Sequence, residues 1–151
     1  MQPSPAKILA HTVFSTKDRQ PLLRDKMLRE ELDLYLGGIL AGIDCQPLIV
    51  GGMPDHVHFL CALSYNRSAA DMVREIKQRS AIWLKGKSPD LKDFAWQNGC
   101  GIFSVGFSQI DKVRAYIAGQ EGHHRKVSFQ DEFRELLRRY NVPCDEGNVW
   151  D

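Results

Sequence analysis

The sequence predicts an α+β fold in which a four-stranded antiparallel sheet carries helices on one face, with further helices toward the carboxyl end. Apolar stretches rich in β-branched residues alternate with stretches whose apolar residues recur every three or four positions. Their order is strand, helix, strand, strand, helix, strand and then two helices. The 151 residues, 43% of them hydrophobic, suffice for one buried core, so we expect a single domain over 1–151 with its core at about 7–140.

The first half of the chain supplies one strand, one helix and a hairpin. A β-branched, apolar segment predicts the first strand at Lys7–Ser15. Leucines at helical spacing predict a helix from Leu22 to about Leu40. Strand character returns at Gln46–Val50, and a turn rich in Gly, Pro and Asp at 51–55 connects it to the apolar run Val57–Leu63, as in an antiparallel hairpin.

The second half supplies a helix, a strand and two more helices. We expect a helix from about Ser68 through Lys85, with Ile82 among its core residues and its basic side chains exposed to solvent. A glycine-interrupted strand follows at Phe94–Val105. Ser108 resembles the start of a capping box for the third helix, and the last helix is expected at Phe129–Tyr140. This βαββαβ order is that of a ferredoxin-like, or RRM-like, sandwich.

Composition narrows the function only slightly. The formal net charge is +1, so charge alone gives no argument for nucleic-acid binding. The sequence shows no secretion leader and no membrane-spanning apolar run, which predicts a soluble, cytoplasmic protein. The four cysteines are far apart and form no Cys-x-x-Cys pair, which argues against a zinc knuckle or a redox motif.

His56 and His58 form a His-x-His pair at the start of a predicted strand. Residues two apart in a strand project from the same face, so the two imidazoles lie side by side while Val57 points the other way. Such a pair can chelate a divalent metal. Alternatively, either histidine is a polar strand-edge residue bonded to backbone, and the pair alone leaves both interpretations open.

Tyr116 and Gln120 lie four residues apart on the third predicted helix, so the phenol and the amide oxygen can face one site. A helical tyrosine is more often a half-buried aromatic on an amphipathic helix, and spacing alone does not select Tyr116. His11 lies in the first strand and could neighbour the site. We interpret it as a hydrogen-bonded structural residue.

Four sequence blocks occur together in a characteristic order. They are FSTK at 14–17, GGMPDHVH at 51–58, WQ at 96–97 with FSV at 103–105, and YIAGQ at 116–120. From about residue 7 to residue 140 the chain resembles the single-tyrosine transposases of bacterial insertion sequences. These belong to the HUH endonuclease superfamily, which is named for its histidine-hydrophobic-histidine motif.

The resemblance implies a role for each matching residue. His56, His58 and Gln120 would bind Mg²⁺ or Mn²⁺, and Tyr116 would be the nucleophile that cleaves and rejoins single-stranded DNA at insertion-sequence ends through a 5′-phosphotyrosine. The usual DNA partner of the family carries a hairpin. The family enzyme works as a homodimer, so the helix Gln109–His124 is expected to act in the partner's active site. The sequence identifies no base for the phenol, whose ordinary pKa of about 10 keeps it protonated at neutral pH.

Two positions depart from the family pattern. Cys100 stands where an aromatic residue is common, and Gly119 stands where an asparagine is frequent. Glycine weakens a helix interior by roughly 1 kcal/mol relative to alanine. We therefore expect Gly119 to loosen the placement of Gln120.

Basic side chains in the first turn and on the second helix are candidate phosphate contacts. They are Lys17, Arg19, Lys77, Arg79 and Lys85. For each of them, a solvated surface charge is the competing interpretation. The polar segment 123–126 is interpreted first as a favourable partner of the helix dipole and second as a DNA contact.

Three other functions fit parts of the pattern. A noncatalytic single-stranded nucleic-acid-binding module could share the fold, although the chain lacks the aromatic-rich strand of RNA-binding modules. A metallohydrolase could use the same histidines with water as the nucleophile. A domesticated relative acting on host repeats would keep the chemistry and change its biological role.

Overall fold

The computed structural model describes residues 5–120 and 127–143, and its elements follow the predicted order. The strands are β1 (Ile8–Ser15), β2 (Gln46–Met53), β3 (His56–Leu63) and β4 (Gly101–Val105), and the helices are α1 (Lys26–Gly42), α2 (Ala69–Lys85), α3 (Ile110–Ala118) and α4 (Phe129–Arg139). Short 3₁₀ turns lie at 17–19, 89–91 and 107–109. Within the described residues, no helix is both long and apolar enough to cross a membrane.

The four strands form one antiparallel sheet in the order β2-β3-β1-β4. The inner strands β1 and β3 pair so that Val13 lies opposite His58 and Ser15 opposite His56. The predicted antiparallel α+β sandwich is therefore confirmed. Both histidines lie near one end of the central strand pair.

Alternation along the strands divides the sheet into two faces. On one face, Phe14 and Phe59 pack with α1 and α2 in a large apolar cluster. On the other face, Val13 contacts residues of α4, and Leu60 clusters with Ile117 of α3. The two carboxyl-terminal helices therefore cover the face opposite α1 and α2, and this is the face to which the histidines project.

Side-chain caps set the starts of three helices. Asp25, Ser68 and Ser128 each accept a hydrogen bond from a backbone N–H in the first turn of α1, α2 and α4, respectively. The α1 helix consequently begins at Lys26, later than its leucine spacing predicts. The N-cap residue of α3 is Gln109 and makes no side-chain cap bond, so the capping box predicted to begin at Ser108 is wrong.

The predicted strand Phe94–Val105 is too long. Only β4 is a strand, and the preceding residues form a loop that Trp96 anchors by donating its indole N–H to the buried Ser80 hydroxyl at 2.9 Å. Trp96 also forms an isolated β-bridge with Thr16. Glycine and polar residues before β4 leave this loop without a continuous apolar pattern, which explains the early end of the strand.

Two expectations about the faces of α2 are wrong. Ile82 is 72% exposed and does not join the core. Lys77 is half-buried, and its ammonium group donates to the backbone carbonyls of Gln97, Asn98 and Gly99 at 2.8, 3.2 and 2.7 Å. Its long side chain reaches past the helix surface to the loop before β4, so Lys77 ties this loop to α2.

Candidate active site

His56 and His58 lie on adjacent same-face positions of β3, as the His-x-His spacing predicts. Both are fully buried, and their ring centroids are 5.2 Å apart. Their Nε2 atoms face the same carboxylate on α4, at 3.6 Å from His56 and 2.8 Å from His58. The pair is therefore part of an enclosed polar cluster between the sheet and the last two helices.

The structure brings Tyr116 and Gln120 to the same cluster. The Gln120 amide oxygen lies 3.4 Å from His56 Nε2, and the Gln120 amide donates to the Tyr116 carbonyl at 3.3 Å. The Tyr116 ring centroid is 5.7 Å from that of His58. Gly119 is the C-cap of α3, which ends at Ala118, so the premise that this glycine weakens a helix interior is wrong.

Glu132 of α4 is a site residue that the sequence analysis did not select. Its side chain is 2% exposed, Oε1 contacts both histidines, and Oε2 accepts a hydrogen bond from the Tyr116 hydroxyl. One signal could have found it. Glu132 lies three residues after Phe129 and four before Leu136, so this carboxylate occupies a position of the apolar stripe of its helix.

Two further side chains orient the histidines from behind. Asp55 Oδ1 lies 2.6 Å from His56 Nδ1, so the carboxylate accepts the Nδ1 proton and Nε2 faces the cluster. His11 Nε2 lies 2.8 Å from His58 Nδ1. Burial, and then the neighbouring His58, lower the pKa of His11 to about 3, so His11 stays neutral and its Nε2 can accept the Nδ1 proton of a metal-binding His58. His11 is thus a satisfied buried residue and also a partner of the site.

The Tyr116 phenol lies in an environment that favours its protonated form. Burial raises its pKa, and the charge of Glu132 and the hydrogen bond to that carboxylate raise it further. Nucleophilic attack by this oxygen therefore requires added positive charge nearby or removal of its proton.

The residues present fit a divalent metal ion. Donor atoms of His56, His58 and Glu132 all lie within 4.8 Å of one another, and all three residues are buried. The amide oxygen of Gln120 adjoins them. Imidazole, carboxylate and amide donors together suit a divalent cation, and the partners of His56 and His58 direct the Nε2 atoms toward the cluster.

Comparison with known proteins identifies the family. The family model described as "Transposase IS200 like" matches residues 5–120. The chain belongs to the IS200-like transposase family. No curated protein sequence matches this transposase.

Two solved structures share the fold of this chain. A transposase candidate from Deinococcus radiodurans R1 is 22% identical, with a TM-score of 0.62, and the match covers 80% of this transposase and 95% of that chain. A REP-associated tyrosine transposase bound to a REP hairpin is 14% identical, with a TM-score of 0.61, and the match covers 96% of this chain and 91% of that one.

The predicted phosphate contacts lie in two places in the transposase. Lys17 and Arg19 belong to the turn that follows β1, close in sequence to Ser15 opposite His56. The α2 candidates lie on the helix that packs against the other face of the sheet. Of these, Lys77 binds the loop before β4, and Arg79 is paired with a glutamate of its own helix at 2.9 Å.

An open cleft of about 410 Å³ adjoins the nucleophile candidate. Its lining includes Tyr116, His11, Lys112, Arg139 and Tyr140. Sequence reasoning did not select these cations, because Lys112 and Arg139 come from different helices and meet only in the fold. The segment 123–126 lies outside the described residues, as does the end of the predicted helix Gln109–His124.

Proposed function

We propose that this transposase cleaves and rejoins single-stranded DNA at insertion-sequence ends through a 5′-phosphotyrosine on Tyr116. One observation carries the proposal. The Tyr116 hydroxyl hydrogen-bonds a carboxylate that also contacts both histidines of a buried, metal-fitting cluster. Among the four tyrosines of the chain, Tyr116 has a hydroxyl group in this cluster.

A divalent ion, Mg²⁺ or Mn²⁺, would be held by His56, His58 and Gln120 together with residues of α4. When bound, it would polarise the scissile phosphate and offset the charge that develops on the phosphoryl oxygens. The site is preorganised, since Asp55 and His11 fix the orientation of the two imidazoles.

The reaction of the chain itself is a phosphoryl transfer. The Tyr116 oxygen attacks the scissile phosphorus, an O–P bond forms to the phenol oxygen, and the bond from phosphorus to the 3′ oxygen breaks to release a DNA 3′-hydroxyl. The phenol proton is lost, and the departing 3′ oxygen gains one. Since the tyrosyl ester retains the energy of the broken phosphodiester, a 3′-hydroxyl can reverse the step and join strands without ATP.

The cleft beside Tyr116 supports a path for single-stranded DNA. Lys112 and Arg139 offer charges for phosphates, and Tyr140 offers a ring on which a base can stack. Lys17 and Arg19 would extend this path on the turn after β1. The proposal that the substrate carries a hairpin rests on the family resemblance, and the hairpin-bound neighbour of the same fold is consistent with it.

The site geometry favours a nucleophile that acts within its own chain. Tyr116 contacts Glu132 and stands beside His58 of the same chain, with ring centroids 5.7 Å apart. The expected exchange of the tyrosine helix between subunits is not needed to assemble this arrangement. A homodimer, implied by the resemblance, stays a prediction.

A noncatalytic module of the RNA-binding type is less consistent with the structure. Such modules stack bases on aromatics of an open sheet face. Here α1 and α2 pack on one face and α3 and α4 on the other. The aromatic Phe103 of β4 is buried against Tyr140 at a centroid distance of 4.6 Å and is not available as an open platform.

The test is the formation of a covalent protein–DNA adduct. The full chain is incubated with a single-stranded oligonucleotide carrying the flanking hairpin and Mn²⁺, and adducts are counted on a denaturing gel. We expect an adduct with the wild type, none with Tyr116→Phe, and a wild-type amount with the matched control Tyr65→Phe, whose side chain is exposed. An adduct that persists in Tyr116→Phe refutes the assignment, and cleavage without any adduct favours the water-using hydrolase.

A further inference from the structure

We infer that Glu132 is a metal ligand through Oε1 and a positioning residue for Tyr116 through Oε2, so that α4 is part of the active site. This inference rests on the proposed function for the identity of the reaction. It adds a carboxylate from a helix that lies beyond the family match at residues 5–120. It also gives α4, which packs over the sheet, a role in metal binding and in positioning Tyr116.

The two oxygens of this carboxylate have different partners. Oε1 lies within hydrogen-bond distance of His58 Nε2, at 2.8 Å, and 3.6 Å from His56 Nε2. These are the ring nitrogens opposite those that contact His11 and Asp55. Oε2 accepts the Tyr116 hydroxyl. One side chain therefore contacts the proposed metal ligands and the proposed nucleophile at once, and it fixes the distance between them.

The burial of Glu132 argues against a purely structural role. A carboxylate with 2% exposure loses its hydration, which is costly unless charge and hydrogen bonds compensate for it. The apolar stripe of α4 would bury a leucine at this position without that cost. A divalent cation bound by the facing imidazoles would compensate for the carboxylate charge directly.

The packing of α4 brings the carboxylate within reach of the sheet. Gly101 of β4 lies beneath Phe133, and a Cβ at this glycine would stand 2.6 Å from the phenyl ring. A larger residue would hold the helix away from the sheet. The glycine thus permits the close approach that brings the neighbouring Glu132 against β3.

The experiment measures metal binding separately from DNA chemistry. Mn²⁺ is titrated into the full-length wild type, Glu132→Gln and the control Glu135→Gln, and free Mn²⁺ is followed by electron paramagnetic resonance. Glu135 lies on the same helix, is half-buried and pairs with arginines of α4, so its variant removes a carboxylate charge without touching the histidines. We expect Glu132→Gln to weaken Mn²⁺ binding at least about 10-fold and Glu135→Gln to stay within about twofold of wild type.

Wild-type Mn²⁺ affinity in folded Glu132→Gln overturns the inference. Circular dichroism reports folding, and if the glutamine variant unfolds, Glu132→Asp carries the test, since it keeps the charge and shortens the reach. In that variant, weaker Mn²⁺ binding supports the inference and unchanged binding overturns it.

The adduct assay, run in parallel, separates this inference from the proposed function. Adduct formation at Tyr116 together with unchanged Mn²⁺ binding in Glu132→Gln refutes only the ligand assignment. Glu132-dependent Mn²⁺ binding without any wild-type adduct supports the ligand assignment and refutes the proposed reaction. At saturating Mn²⁺, a slower adduct rate in Glu132→Gln supports the positioning of Tyr116, and an unchanged rate overturns it.

Discussion

Because Gly51 of β2 has no side chain, α3 packs close to the sheet at this position, and Gly51→Ala tests whether the proposed site needs this close packing. A Cβ at this position would lie 2.9 Å from Ile117 Cγ2 and 3.3 Å from the Ile117 carbonyl oxygen. Ordinary carbon–carbon contacts lie at about 3.5–4.0 Å, so Ile117 must retreat by roughly 0.5–1 Å. Ile117 directly follows Tyr116, and the shift is therefore passed to the proposed nucleophile.

The size of the effect follows from this displacement. A misplacement of about 1 Å at a reacting group can cost roughly 100-fold in rate, so we expect Gly51→Ala to slow adduct formation by roughly 10- to 100-fold. Overpacking of this kind lowers the free energy of unfolding by about 1–3 kcal/mol, which leaves most of the protein folded. The loss of rate is thus expected to exceed the loss of folded protein.

The adjacent glycine provides a matched control. A Cβ at Gly52 would point to the other face of the sheet, 3.4 Å from Asp33 Oδ1 and 3.6 Å from Val57 Cγ1, which are ordinary contacts. Gly52→Ala should therefore keep the wild-type adduct rate. The double variant Gly51→Ala/Ile117→Leu removes the clashing methyl at nearly constant volume and should recover part of the rate.

The assay is single-turnover adduct formation at saturating Mn²⁺ and DNA, with urea unfolding measured on the same samples. A wild-type rate in Gly51→Ala refutes the reasoning. So does an equal loss in Gly52→Ala, because the effect would then not depend on contact with α3.

Three further predictions follow from other contacts. Burial raises the pKa of Asp33 to about 7, so the folded state keeps this proton at pH values where the unfolded chain has lost it, and the stability of the wild type should fall as the pH rises from about 4 to 7. After allowance for partial exposure the fall is worth roughly 1–2 kcal/mol, and it should be absent in Asp33→Asn. Urea unfolding at pH 5 and pH 8 measures it. Lys77→Met should lower the free energy of unfolding by about 1–3 kcal/mol, because three backbone acceptors lose their donor. The exposed ion pair of Arg79 contributes under about 1 kcal/mol, so equal effects of Lys77→Met and Arg79→Gln would contradict the structural role of Lys77. A mixture of His56→Ala and Tyr116→Phe should yield no more adduct than either variant alone, because the tyrosine lies against the cluster of its own chain, and recovered activity would show that subunits exchange their helices.

The sequence predicts the parts of this fold that depend on local periodicity. Alternation in β3 places His56 and His58 on one face, and the structure shows this arrangement. Tyr116 and Gln120 also reach one cluster, although α3 ends at Ala118 and Gln120 lies beyond the helix that was predicted to carry it. The order of strands and helices is likewise correct, since apolar period and turn residues act over a few positions. Family resemblance was still needed to select Tyr116.

Residues whose roles depend on distant contacts were not predictable in the same way. In the sequence, Lys77 cannot be distinguished from an exposed helix cation, because its contact is with the distant loop before β4. His11 comes next to His58 only through the pairing of β1 with β3. Glu132 lies 76 residues beyond His56 in sequence, and no local pattern links the two. A carboxylate within an apolar stripe indicates a buried polar site, but the pattern does not identify the residues that the carboxylate contacts.

The two faces of the sheet differ in what they bury: one has a continuous apolar core, and the other contains the candidate site. The face under α1 and α2 has a continuous apolar core, where Leu36→Ala would cost about 2–5 kcal/mol. The other face has two separate apolar clusters, and buried polar residues lie with them. These residues are His11, His56, His58, Gln120 and Glu132. A hydrogen bond between such groups contributes only about 0.5–1.5 kcal/mol net. The α3 and α4 helices are therefore held by the small clusters and by close approach over Gly51 and Gly101, and a bound cation would join α4 to the sheet at the point where its apolar packing is interrupted.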